Sequence, residues 1–127
     1  MSQQALSITK EVLDLAKKEF DLATKNLDMA AEAFNIAQNK RDLLRQYRQS
    51  YIERLANNLG ANVQLDSNKD LIVYFKKLDQ AIMEQHEAVE STRQQLSIQH
   101  QLWQESQRKK LSLEALAKAA SRSKSHI

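Results

Sequence analysis

Few residues in this chain could carry chemistry, and they are scattered. The imidazoles are His86, His100 and His126. His86 and Glu90 stand four apart, a spacing that sets both on one face of a helix and could begin a metal site. No third ligand recurs on that face, and a metal site needs three or four converging ligands, so no metal is assigned. The chain has no Cys, which removes thiolate ligands and any disulfide scaffold. Its single Gly cannot build a Gly-rich phosphate loop, so no nucleotide or other cofactor is expected. Ser, His and Asp all occur, but nothing in their spacing forms a concave pocket to assemble them. Carboxylates such as Glu11, Asp14, Asp21 and Asp28 read as a solvated helix face. These absences predict a protein that is not an enzyme and takes no small-molecule substrate.

The elements that would position these side chains follow from what the chain lacks. With one Gly and no Pro in 127 residues it can build almost no tight turns, which excludes a many-stranded β fold. No apolar run approaches the roughly 20 residues a bilayer-spanning helix requires. Met1-Ser2-Gln3-Gln4 lacks the basic and apolar regions of a secretory signal. A soluble, cytoplasmic, all-α protein is expected. The one strong break, Asn57 to Asp66, holds the lone Gly60 and three Asn, and Gly60 suits a left-handed helix C-cap. Ser67 with Asp70 three residues on resembles a capping box. The expected organisation is a single domain over residues 1–127. Helix one covers about 2–57, a loop about 58–66, helix two about 67–121, and a polar tail 122–127. Leu6 to Leu55 would span roughly 75 Å at 1.5 Å per residue, a length that points to a coiled coil.

The seam of that coiled coil can be counted in sevens. Leu6, Leu13, Phe20, Leu27, Phe34, Arg41, Arg48 and Leu55 form line a of helix one. Thr9, Ala16, Ala23, Ala30, Ala37, Leu44 and Tyr51 form line d. Helix two repeats this with Phe75, Ile82, Val89, Leu96, Trp103, Lys110 and Ala117 at a. Leu71, Leu78, Gln85, Thr92, Gln99, Ser106, Leu113 and Ala120 take its d line. A strict seven-residue repeat sustained this long specifies a left-handed supercoil. The fold class is therefore a long antiparallel two-helix coiled coil, a helical hairpin. Antiparallel pairing opposes a to d. The register that best closes the loop sets Leu55 against Leu71, Tyr51 against Phe75, Ala37 against Val89, Ala30 against Leu96 and Ala23 against Trp103. It also puts Phe34 against Thr92, Leu27 against Gln99 and Phe20 against Ser106, so each bulky residue meets a small or polar one. Arg41 and Gln85 share a polar layer. The polar residues in the seam trade stability for register, giving a moderately stable, somewhat flexible rod.

Helix one carries a second apolar line at position c: Ile8, Leu15, Leu22, Met29, Ile36 and Leu43. Two readings stand. Either helix two seats wide in the alanine groove and touches this line, or Leu15, Leu22, Met29 and Ile36 form a second interface for a partner. The acidic start of helix one and the basic end of helix two (Arg108, Lys109, Lys110, Lys118) would lie side by side in the hairpin. That complementarity argues against a nucleic-acid partner, which wants an unopposed basic face.

Three stretches carry a family resemblance. Leu44-x-x-Tyr47-x-x-x-Tyr51-x-x-x-Leu55 closes helix one, and Leu78-Asp79-Gln80-Ala81-Ile82-x-x-Gln85 opens helix two. Trp103 follows, then Arg108-Lys109-Lys110 and Leu113-Glu114-Ala115-Leu116. Over about residues 5 to 117 this order resembles FliJ, the coiled-coil protein of the bacterial flagellar type III export apparatus. The family's second helix usually continues into a further charged segment. The resemblance implies a central stalk whose helix ends, here near Leu6–Leu27 and Leu96–Ala117, enter and activate a hexameric export ATPase. Its loop-side region would reach the membrane export gate through Tyr74, Leu78, Ala81 and Gln85, of which Leu78 and Gln85 are also seam positions. The implied location is cytoplasmic, peripheral at the cytoplasmic face of the inner membrane. Alternatives are the stalk of a virulence injectisome, an adaptor that escorts export chaperones and their cargo, and a plain structural coiled coil.

Overall fold

The computed structural model describes residues 3–58 and 65–125. All of them are helical, in α1, Gln3–Asn58, and α2, Leu65–Ser125. The two helices pack against each other as a helical hairpin, with no strand among the described residues. The turn expected at Gly60 lies outside the described residues, as do His126 and Ile127. The limits of α2 correct the expected ones. It begins two residues ahead of Ser67, so Ser67 and Asp70 lie within the helix, and it runs through Ser121–Ser125. No Gly or Pro in Leu65-Asp66 or Ser121–Ser125 opposes helical dihedrals, and the cationic Arg122 suits the negative end of the helix dipole.

The chain divides into two compact units. One comprises Met1–Ala31 with Gln95–Ile127, the other Glu32–Gln94. In both, every described a and d residue is buried or half-buried. The buried hydrophobics among the described residues are Ala16, Ala37, Leu78, Val89 and Ala120. Three of the five are alanines because two helices share only one face. A large side chain in that face keeps an open flank, while a small one is covered by the bulkier residue opposite.

Within the first unit, Trp103 lies against the helix-one residues around Ala23. Its indole Nε1–H donates to Thr24 Oγ1 at 3.0 Å, and its ring sits 5.6 Å from that of Phe20. Lys109 Nζ reaches Glu19 at 3.1 Å. The neighbouring seam cation, Lys110, is accommodated by placing its ammonium 3.9 Å from the centre of the Phe20 ring. Ser106 returns its hydroxyl to the Trp103 carbonyl at 2.8 Å.

Within the second unit, Tyr51 meets Phe75 edge-on with ring centres 6.4 Å apart. Gln85 Nε2–H donates to the Ala37 carbonyl at 3.0 Å. These contacts and those of Trp103 fall on the register opposing Tyr51 to Phe75, Ala37 to Val89 and Ala23 to Trp103. A one-heptad shift would move each partner by about two turns. The expected Arg41–Gln85 layer is resolved differently: Gln85 turns to the backbone, and Arg41 pairs with Asp42 at 3.3 Å. Alanine is what makes this possible, since its small side chain leaves the carbonyl reachable from the opposite helix. Arg48, also on line a, stacks 5.7 Å over Phe75 and pairs with Asp79 at 2.6 Å. Thr92 donates back to the carbonyls of Ala88 and Val89. No buried side-chain nitrogen or oxygen among the described residues lacks a hydrogen-bond partner, so no polar seam group there carries the cost of being buried unpaired.

Candidate functional site

The stripe Tyr74, Leu78, Ala81 and Gln85 lies wholly in the second unit, and its members occupy unlike environments. Leu78 is buried in the seam at 8% exposure. Gln85 is half-buried with its amide committed to Ala37, and Ala81 is half-buried at the flank. Tyr74 alone is exposed, at 38%. It therefore offers a partner a side chain, whereas Leu78 and Gln85 hold the two helices together.

Tyr74 does not stand by itself. Its ring packs on Tyr51 with centres 4.5 Å apart and stands edge-on to Phe75 at 6.3 Å. Loss of water around its hydroxyl, and then the adjacent Tyr51 and Tyr47 phenols, raise its pKa above the ordinary phenol value of 10.0. Tyr47, Ser50, Tyr51 and Arg54 of α1 join Tyr74 around a depression of about 350 Å³. Their spacing of three, four and seven places the four α1 residues on one helix face. Tyr47 and Tyr51 are marked in the sequence by the resemblance. Ser50 and Arg54 are not, although Arg54 follows Tyr51 by three residues, the spacing that brings its guanidinium over that ring at 5.8 Å.

The c line is uncovered in both units. In the first, Ile8, Leu15, Leu22 and Met29 are exposed by 60%, 58%, 60% and 68%. In the second, Ile36 and Leu43 are likewise exposed. The reading in which α2 seats wide enough to touch this line therefore fails: α2 packs on a and d. His86 is exposed, and Glu90 pairs with Arg93 at 3.5 Å. Among the described residues no group of three His, Asp or Glu side chains could hold a metal ion, and no helix is long and apolar enough to cross a membrane.

The model of the family described as flagellar FliJ protein matches residues 10–126. The chain belongs to the FliJ family. No curated protein and no solved structure matches it. Membership implies a stalk-type role in flagellar export. It also implies interaction with components of the flagellar export apparatus.

Proposed function

We propose that this chain is the central-stalk component of the flagellar type III export apparatus, entering and activating its hexameric ATPase and linking that enzyme to the membrane export gate. The observation that carries the reading is the family match over nearly the whole of a two-helix hairpin. The helix-end unit, with Leu6–Leu27 paired to Leu96–Ala117, is the inserted part. Its cross-helix contacts through Trp103, Lys109 and Lys110 keep both helices together where the ATPase would surround them. The second unit faces the gate, and there Tyr74 makes the contact while Leu78, Ala81 and Gln85 hold the surface in shape. Leu15, Leu22, Met29 and Ile36 form a further protein interface, since exposed large apolar side chains at a regular helical spacing suit another helix. The protein works in the cytoplasm at the inner face of the membrane, without a cofactor and without catalysis of its own.

Adding the chain to the cognate export ATPase is expected to raise both hexamer formation and turnover. No increase in either overturns the stalk role. The uncovered c line favours a second reading, an adaptor for export chaperones, which predicts binding of chaperones without ATPase stimulation.

A further inference from the structure

We infer that one flank of the first unit is a self-association surface, on which a second copy of this chain stacks to form a four-helix bundle. The inference deepens the reading of Leu15, Leu22 and Met29 as a protein interface by naming the partner. It rests on the make-up of that flank and not on the stalk role.

The ion pair of Glu19 with Lys109, 3.1 Å apart, marks where the two helices meet along this flank. Val12 lies two turns before Glu19, and Leu102 and Leu116 lie two turns either side of Lys109, so all three share the flank. The c-line residues Ile8, Leu15, Leu22 and Met29 stand three or four positions from Val12, Glu19 or Asn26 and continue the same surface on α1. Ile98, four residues before Leu102, continues it on α2. These apolar side chains are exposed by 39% to 68%. The opposite flank differs. Thr24, which accepts from Trp103, marks it, and its heptad positions hold Lys10, Lys17, Gln107 and Glu114. The unit is thus apolar on one side of its seam and polar on the other.

Two features select a second copy as the occupant. The first is charge. Glu19 and Lys109 sit in the middle of the apolar flank with side chains 45% and 55% exposed, so each can take a second partner. A two-fold axis along the hairpin lays α1 of one copy on α2 of the other. Glu19 then meets Lys109 of the partner copy, Lys109 meets its Glu19, and the four charges alternate in sign around one layer. All neighbouring helices run antiparallel, as in an up-down-up-down bundle. A two-fold axis across the hairpin, centred on the same layer, would oppose Glu19 to Glu19 and Lys109 to Lys109. The second feature is area. At on the order of 80 Å² for each apolar side chain of the flank, stacking removes about 1,300 Å² from the two copies together. Stable, specific interfaces begin at about 1,200 Å². On the stalk reading this same unit enters the ATPase, so the dimer and the inserted monomer exclude each other.

The test is sedimentation equilibrium of the full chain from micromolar to millimolar concentration. A reversible monomer–dimer equilibrium is expected. Leu22→Gln combined with Met29→Gln should weaken the dimer about thirtyfold or more, since each substitution counts twice in a two-fold interface. Both residues lie outside the seam, so this variant is expected to keep the helix content of the parent by circular dichroism. Lys109→Glu alone should weaken the dimer about tenfold, and adding Glu19→Lys to it should restore the affinity. The parent and that doubly exchanged chain should each pair with themselves and mix poorly, because Glu19 of the parent would face a glutamate. Native mass spectrometry of an equal mixture, with one chain labelled with nitrogen-15, reads the mixing. A chain that stays monomeric to millimolar concentration overturns the inference and leaves the flank to a different protein. Dimers that survive the Leu22 and Met29 substitutions unchanged overturn it, as does free mixing of the parent with the exchanged chain. If the dimer forms but ATPase stimulation is absent, the stalk reading fails and the dimer stands. If stimulation is intact and the chain is monomeric, the dimer fails alone.

Discussion

Individual side chains in this hairpin divide into those that tie the helices together and those left for partners, and hydrogen bonding shows the division. Trp103 and Thr24 form a tie in the first unit, an indole N–H with one acceptor at 3.0 Å. Thr24→Val removes the acceptor, leaves the N–H half-buried without it, and should cost about 1–2 kcal/mol in urea unfolding. Tyr74 belongs to the second class and carries a pH signature. Its raised pKa means the folded state holds the phenol proton more tightly than the unfolded state. The resulting stabilisation is present below pH 10 and is lost as pH rises through the folded value. Urea midpoints measured from pH 8 to 11 should therefore fall more steeply for the parent than for Tyr74→Phe, whose ring has no proton to lose. At this scale the sequence was only partly legible. The resemblance places Tyr74, Leu78, Ala81 and Gln85 on one docking stripe. The heptad already seats Leu78 and Gln85 at d, and the structure follows the heptad.

At the scale of the helices, a thin seam works because its small and polar members are used rather than merely tolerated. Ala37 exposes a carbonyl that Gln85 reaches across the interface. Thr92 and Ser106 fold their hydroxyls onto their own helix. Ala37→Leu should both overfill the layer and block that carbonyl, at about 1–3 kcal/mol by thermal unfolding. Leu22→Gln, on the uncovered line, should stay within about 0.5 kcal/mol of the parent in the same assay. A large loss there would mean that the c line is packed after all. The seam and its register could be read in advance because period and size complementarity both depend on residue type alone. The fate of Ile8, Leu15, Leu22 and Met29 could not, since periodicity identifies an apolar face without saying how far a neighbouring helix wraps round it. The start of α2 was placed two residues late because Ser67 and Asp70 have the types and spacing of a capping box, a pattern that residues inside a helix can also show.

For the molecule as a whole, the all-helical hairpin and the family follow directly from composition, heptads and three short stretches, whereas the choice of partner surfaces needed coordinates. The acidic start of α1 and the basic end of α2 meet in the cross-helix pair of Glu19 with Lys109, which is solvent-exposed. Such a pair contributes about 0.2–1 kcal/mol and is screened by salt. The melting temperature should therefore change little between dilute buffer and concentrated salt, and a steep fall would show that charge, not the seam, holds the hairpin. The placement of the aromatic residues gives one further consequence. The sole tryptophan, Trp103, lies in the unit of helix ends, while Tyr47, Tyr51 and Tyr74, which are all of the tyrosines, lie in the other. Indole emission excited at the red edge and phenol absorption changes thus act as two natural dyes, one for each half of the hairpin. A single unlabelled sample can reveal whether the halves melt together or one after the other, and which of them an added ATPase or gate fragment protects.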